Sequence, residues 1–409
     1  MKISNDIIPY SGKHKTLLYN YYANKLCIIN NKLWNSLQAA SKHSIKGIAL
    51  SPSDRERLIE SGVIIINEQD YLAKDFRSIY EKKIRSLQYS IQSVYLHITQ
   101  RCNLNCSYCY NKTNLNLPSK ELTLDQLSDI ATKFQKLNIR KLILTGGEAL
   151  LRNDIIEICK LFKERGLFIE VLSNGTLLAE RLELFKYIDH IIISLDTLHQ
   201  QKNERIGLNI SQVLSTLSAL APQERKKCSI RSVISRYDLE GWREVKAFCD
   251  SHNLNFILNS FIPNSLMDLP LIPPADLEDL YQNGSSDAIG GKRCGASLNT
   301  LAINSNGDIY PCQTFINPDM KLGNILLDNI PLLFKSTSVH SLFQNRNVLT
   351  VKDCSCCKYK FLCGGGCPVI PYKLYQDLNS APKPMCAILK HGIDIQLKRI
   401  LEKYDQKHY

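Results

Sequence analysis

Cys102, Cys106 and Cys109 fall within one ten-residue run, Arg-Cys-Asn-Leu-Asn-Cys-Ser-Tyr-Cys-Tyr, and no other feature of the chain restricts it so strongly. Three thiolates at Cys-x3-Cys-x2-Cys spacing suit an iron–sulfur cluster, whose irons take soft sulfur ligands. A four-iron cluster held by three cysteines leaves one iron with an open coordination position, where a small molecule can bind and react. The plainer alternatives are three structural thiols or part of a zinc site.

The rest of the chain bears on that choice. It holds fifteen cysteines in 409 residues. The N-terminus has no long apolar core and carries Asp6, so it does not read as a signal peptide. With no run of ~18 apolar residues to span a bilayer, a cytoplasmic protein without a membrane partner is expected. In a reducing compartment, clustered cysteines point to metal or redox chemistry and not to disulfides. Cys27, Cys159, Cys228 and Cys249 lie in apolar segments and read as packing thiols. The net charge of +12 is spread along the chain without an aromatic-interleaved basic block, so a nucleic-acid partner is not expected.

Residues 1–90 read as a small module. It has a strand pair over Thr16–Asn30, helices over Lys32–Ser41 and Ser53–Ser61 with Ser53 as N-cap, and a strand over Val63–Ile66. That outline is winged-helix-like, and a helix over Tyr71–Tyr89 leads out of it. Residues 91–290 alternate short apolar strands with amphipathic helices, and polar residues cluster just after the strand ends. Such alternation specifies α/β architecture, a parallel sheet in a barrel or partial barrel with its active site at the strands' C-terminal ends. Prolines and glycine at 263–290 suggest a linker. The cysteine-rich segment 291–409 is expected to have little core of its own, to fold around metal and to end in a helix from about Met385 to Tyr404.

Two turns complete the first site. Strand Lys141–Thr145 runs into Gly146-Gly147-Glu148, and strand Phe168–Leu172 into Ser173-Asn174-Gly175. Glycines allow close backbone approach to a ligand, a carboxylate can receive an ammonium group, and the second turn offers partners for a ribose. Together with the cysteine loop, these residues resemble the radical S-adenosylmethionine (radical SAM) superfamily. There Cys-x3-Cys-x-aromatic-Cys holds a 4Fe–4S cluster, and Tyr108 fills the aromatic place. The resemblance implies that Cys102, Cys106 and Cys109 bind three irons while SAM chelates the fourth. Gly146, Gly147 and Glu148 would meet the SAM amino group. Ser173, Asn174, Ser194 and Asp196 would lie near the ribose or carboxylate, and Arg205 would face the carboxylate or sit on the surface. Reductive cleavage of SAM then yields a 5′-deoxyadenosyl radical that abstracts hydrogen from a C–H bond, the cofactor carrying the hard chemistry.

The second cysteine set is Cys294, Cys312, Cys354, Cys357, Cys363, Cys367 and Cys386, with Cys363-Gly-Gly-Gly-Cys-Pro at its centre. Seven thiolates are too many for one zinc and awkward for two. The pattern resembles the SPASM domain of radical SAM peptide-modifying enzymes, which implies two auxiliary 4Fe–4S clusters and three in all. Cys294, Cys312 and Cys367 would hold one, leaving an open iron or a non-cysteine ligand. Cys354, Cys357, Cys363 and Cys386 would hold the other, with Cys356 as the spare thiol.

The implied fold is a partial (β/α)6 TIM-like barrel between a winged-helix-like recognition module and a SPASM domain. The implied function is maturation of a ribosomally made precursor peptide. Its leader would add as a strand to the N-terminal sheet, an external flavodoxin- or ferredoxin-type donor would supply electrons, and a carbon–carbon (cyclophane-type) or thioether cross-link would form. Epimerisation is an alternative outcome. Anaerobic sulfatase-maturing enzymes carry Asp directly after the cysteine matching Cys312, whereas this chain has Gln313, and an amide cannot serve as a base at neutral pH. An iron–sulfur electron carrier without SAM chemistry is a third reading, against which both turns argue.

Overall fold

The computed structural model describes residues 1–40, 45, 47–73, 80–82, 90–118, 120–234, 238–259, 262 and 293–406. Strand β1 (Lys2–Ile3) opens the chain, followed by β2 (Ile7–Ser11), β3 (Lys15–Asn20) and β4 (Lys25–Asn30), which form an antiparallel three-stranded sheet with β3 central. The β3–β4 turn uses Asn24 at φ 51°, a left-handed conformation that asparagine tolerates. Helices Asn31–Ala39 and Pro52–Glu60 pack Trp34, Leu37 and Leu58 against Leu18 and Cys27 on one sheet face.

The N-cap of the second helix is Ser51 and not Ser53. The Ser51 hydroxyl accepts from the Asp54 amide at 3.0 Å, and Pro52 occupies the first helical position, where its missing N–H costs nothing. The strand expected over 63–66 shortens to β5 (Ile64–Ile65), paired with β1. Of the helix expected over 71–89, residues 71–73 and 80–82 are helical and the remainder lies outside the described residues, as does the 263–290 segment.

The central sheet runs through β6 (Ser93–Thr99), β7 (Lys141–Gly146), β8 (Phe168–Ser173), β9 (His190–Ser194), β10 (Cys228–Val233) and β11 (Asn255–Asn259), each parallel to its neighbour. Helices Leu124–Lys136, Ile155–Lys163, Ile210–Ala219 and Gly241–Ser251 lie between these strands in sequence. The segment 178–186 is a kinked 3-10 helix instead of the α-helix its composition suggests. Alternate residues of each strand, such as Val94, Leu96 and Ile98 or Cys228 and Ile230, join the helices in the main core. The other phase of the strands is more polar and faces the opposite way.

The cysteine-rich segment departs from the expectation of little core. β12 (Thr300–Ile303) pairs parallel with β6, β13 (Asp308–Tyr310) antiparallel with β12, and β14 (Gly323–Asn324) with β13, so one nine-stranded sheet runs from β11 to β14. Phe315, Met320, Phe343, Val369 and Ile370 form an apolar cluster of their own. These residues are scattered over about 55 positions between cysteines, turns and short helices, so no long hydrophobic run announces them. The final helix, Lys383–Gln406, packs Ile393, Leu397 and Leu401 on the outer face of the N-terminal sheet, where the Tyr10 hydroxyl donates to Asp394 at 2.5 Å. Among the described residues no helix is long and apolar enough to cross a membrane.

Candidate functional site

A cavity of about 240 Å³ opens at the C-terminal ends of the parallel strands. The loop after β6 brings Cys102, Cys106 and Cys109 to it, the ends of β7, β8, β9 and β11 bring Gly146, Ser173, Ser194 and Asn259, and the middle of β10 brings Arg231. Gly147, Glu148, Asn174, Tyr108 and Arg205 border the same space. Of the first-site residues expected from the sequence, Asp196 stands one layer back.

The cysteine loop is stitched to its surroundings. Gly147 N donates to Thr99 O at 3.0 Å and Glu148 N to Arg101 O at 2.8 Å, while Asn174 Nδ2 donates to Asn103 Oδ1 at 2.8 Å. On the far side, Asn105 N reaches Ile206 O and Ser107 Oγ donates to Glu204 at 2.7 Å. Gly146 and Gly147 are glycines for a steric reason. A Cβ on either would stand 2.2 Å from a carbonyl oxygen of the loop, Thr99 O or Arg101 O. Only bare backbone lets this turn lie flat against the loop.

Glu148 is buried and accepts from the Asn174 amide at 2.7 Å, the Ser173 hydroxyl at 2.8 Å and the Leu150 amide at 3.0 Å. Burial pushes its carboxyl above the usual range, and those three donors oppose the shift. The Ser-Asn-Gly turn therefore orients Glu148 as well as facing the cavity. Asp196, 4% exposed, accepts from Arg205 Nε at 2.9 Å and Nη2 at 3.2 Å, from the Val233 amide at 2.9 Å and from the Tyr108 hydroxyl. The Arg205 guanidinium lies 5.5 Å from the Tyr108 ring centroid. Arg205 is thus held in the site, its side chain 12% exposed, and is not a surface arginine.

The second cysteine set divides into two groups. Cys354, Cys357, Cys363 and Cys386 line a separate cavity of about 200 Å³. Cys294, Cys312 and Cys367 pack together in the apolar cluster around Phe315, and Cys312 and Cys367 are each close enough to Cys294 to couple to it electrostatically. Cys356 is exposed and stands in neither group, while Cys27, Cys159, Cys228 and Cys249 are buried in the cores. All fifteen cysteines are free thiols.

The donor set fits iron–sulfur clusters. Burial pushes Cys102, Cys312 and Cys354 up to about 11 and Cys367 to about 12, so these thiols are neutral until a metal displaces their protons. Among the described residues no three His, Cys, Asp or Glu side chains are arranged to hold a single metal ion.

Sequence reasoning missed several lining residues, among them Tyr110, Thr145 and Arg231. The strand pattern Ser229-Arg231-Val233, polar in the phase opposite to Cys228 and Ile230, carries the signal for the last. Gln313 also lines the cavity, and its Oε1 accepts from the Tyr110 hydroxyl at 3.2 Å.

Residues 96–248 match the model of the radical SAM superfamily, and residues 294–358 match that of SPASM, an iron–sulfur cluster-binding domain. Among curated proteins, a GTP 3′,8-cyclase of Limosilactobacillus fermentum is 29% identical over 276 residues, covering 58% of this chain and 82% of that protein. A second GTP 3′,8-cyclase, from Lactiplantibacillus plantarum, is 34% identical over 149 residues, 34% of this chain and 45% of that one. The solved structure of Streptococcus suis SuiB bound to precursor peptide SuiA superposes with TM-score 0.58 at 18% identity, covering 90% of this chain and 95% of that chain. Native anSMEcpe with bound AdoMet gives TM-score 0.61 at 18% identity, covering 77% and 99%. At such identities the structural likeness is one of fold.

Proposed function

The chain belongs to the radical SAM superfamily and carries a SPASM domain, and from that premise we propose that it matures a precursor peptide by C–H activation, joining a side-chain or α carbon to an aromatic ring or a cysteine sulfur. SAM, bound at a 4Fe–4S cluster and cleaved reductively, supplies the group that abstracts the hydrogen. Cys102, Cys106 and Cys109 hold that cluster. Glu148 receives the SAM amino group, and Gly146 and Gly147 let the turn approach it. Tyr108, fixed by Asp196, supports Arg205 beside the cysteine loop, where its charge faces the SAM carboxylate. Ser194 borders the ribose. The second cysteine groups hold two auxiliary clusters that take up electrons. Residues 1–90 hold the leader, 91–290 form the catalytic barrel and 291–409 the auxiliary-cluster domain.

The observation that carries this reading is one cavity bordered by three cysteines, Glu148 and Arg205 and also by Tyr110, Arg231 and Gln313. The first five suit SAM, and the other three are left to meet a substrate. The likeness to SuiB extends over 90% of the chain, well beyond the barrel. Gln313 at the cavity wall provides no base, which weighs against formylglycine formation. The sequence likeness to GTP 3′,8-cyclases favours a nucleotide substrate as a second reading. Anaerobic incubation of the reconstituted protein with SAM, a reductant and either GTP or a candidate precursor peptide separates the two. Loss of two hydrogens per cross-link from the peptide, with GTP intact, is expected; GTP consumption with an unmodified peptide would favour the second reading.

Two further outcomes follow from the site. Because burial raises Glu148, its carboxylate is lost at higher pH than an ordinary glutamate's, and SAM binding should weaken as pH falls through that point, by about tenfold per unit below it. Calorimetric titration of SAM from neutral to mildly acidic pH checks this, and Glu148→Gln should weaken binding and flatten the profile.

Arg346 is 6% exposed, donates to Leu378 O at 2.7 Å and Gly365 O at 3.4 Å, and has no carboxylate partner among the described residues. Its charge is felt by Cys294, Cys354 and Cys367, which belong to both second cysteine groups. A cation there stabilises the more negative, reduced clusters. Arg346→Leu should lower both auxiliary potentials by on the order of 50 mV, a one-electron couple moving 59 mV per tenfold change in stabilisation. Redox titration followed by electron paramagnetic resonance measures the shift.

A further inference from the structure

Most charges around the strand-end cavity are satisfied within the chain. Glu148 has three donors and Arg205 is paired with Asp196. Arg231 is the exception. It sits in the middle of β10, in register with Ser194 on β9, and points away from the helix-packed core that takes Cys228 and Ile230. It borders the cavity, its Nε is buried without a hydrogen bond, and it forms no ion pair with a described residue.

What it meets are two phenols. Its charge acts on Tyr95 and Tyr110, neither of which is a carboxylate that could pair with it. Arg231 is partly buried, and a carboxylate that pairs with such a guanidinium adds charge-assisted hydrogen bonds. Gln313 stands at the same wall. With its Oε1 occupied by Tyr110, its amide nitrogen remains to donate to a second carboxylate oxygen.

We propose that Arg231, assisted by Gln313, anchors an aspartate or glutamate carboxylate of the substrate peptide, next to the residue from which hydrogen is taken. The proposal rests on the peptide-maturation reading above. Two other anions are less well matched. Arg205 acts on both Cys106 and Cys109, where the SAM carboxylate is expected, whereas Arg231 acts on Tyr95 and Tyr110. A nucleoside triphosphate carries several negative charges, and among the described lining residues Arg231 alone is an unpaired cation, facing a cavity that also holds Glu148. The chain's net charge of +12 is in keeping with an acidic partner.

The test uses reconstituted holoenzyme saturated with SAM, and ligand-observed NMR with N-acetyl-aspartate and N-acetyl-glutamate methylamides, their asparagine and glutamine counterparts, and GTP as probes. The acids should bind about tenfold to a hundredfold more tightly than the amides. Arg231→Gln should erase that preference while leaving the SAM dissociation constant unchanged, and Arg231→Lys should restore part of it. Iron content and circular dichroism establish that each variant is folded; should the glutamine variant fail to fold, the lysine variant and the acid–amide difference decide.

Equal binding of acids and amides overturns the proposal, as does tighter binding of GTP than of the acids. A loss of SAM affinity in the folded Arg231→Gln protein would assign the guanidinium to SAM and overturn it too. Failure of the underlying reading looks different. An acid preference that depends on Arg231, with no peptide losing hydrogen, sinks peptide maturation and keeps the carboxylate anchor. Peptide turnover with KM and kcat unchanged in Arg231→Gln sinks the anchor and keeps the reading.

Discussion

Cys106→Ala protein will release no 5′-deoxyadenosine above the buffer blank when supplied anaerobically with SAM and a reductant, and its iron content after reconstitution will fall by about four per chain. Cys106 contributes one of three thiols from a loop whose backbone is fixed by other residues. Asn105 N bonds Ile206 O, Ser107 bonds Glu204, and Cys102 N bonds Asn116 Oδ1 at 2.9 Å. Removing the thiol therefore leaves the loop anchored while depriving the cluster of a ligand, and circular dichroism should be unchanged. The two proposed auxiliary sites would draw on different cysteines, so their electron paramagnetic resonance signals should persist. Undiminished 5′-deoxyadenosine formation would mean that the first cluster is held elsewhere.

Gly147→Ala will do similar damage without touching a ligand. The new Cβ would lie 2.2 Å from Arg101 O, 2.6 Å from Arg101 C and 2.9 Å from Gln100 O, all of them backbone atoms that cannot rotate aside. Relief requires the Gly-Gly-Glu turn and the cysteine loop to separate, which strains the Gly147–Thr99 and Glu148–Arg101 hydrogen bonds and moves Glu148. Overpacking of this kind costs about 1–3 kcal/mol, so SAM affinity should fall about tenfold to a hundredfold, measured by calorimetry on protein with its clusters intact. Gly147 has no left-handed φ, so the effect is one of space and not of backbone strain. Wild-type affinity in the alanine variant would show that the loop and turn are not in close contact in solution.

The parts of this molecule most legible in its sequence are those with a strong local signal. Six apolar strands between amphipathic helices specify the parallel sheet, and the turn residues after β7 and β8 mark the strand ends at which the cavity lies. Short elements were less legible. β12, β13 and β14 span only four, three and two residues in a segment dominated by cysteine and glycine, and their pairing is nonlocal. The helix Ile210–Ala219 lacks charged residues to mark its polar face. Ser51 and Ser53 are both plausible caps, and the proline between them decides for the first.

At the site, spacing identifies the cysteines, but the support beneath them depends on contacts between distant segments. Asp196 bridges Tyr108, Arg205 and Val233, and Glu148 is held by the turn after β8. Arg231 was obscured by a chain with fifty-one lysines and arginines, in which one more basic residue carries little information until its strand phase turns it into the cavity.

The most direct test of peptide C–H activation follows the hydrogen itself. The candidate precursor peptide, prepared with deuterium at the carbon-bound positions of its residues, is incubated anaerobically with the reconstituted enzyme, SAM and a reductant, and the released 5′-deoxyadenosine is analysed by mass spectrometry. The account predicts 5′-deoxyadenosine carrying one deuterium, in step with loss of two hydrogens from the peptide. Unlabelled 5′-deoxyadenosine beside a peptide of unchanged mass would contradict it.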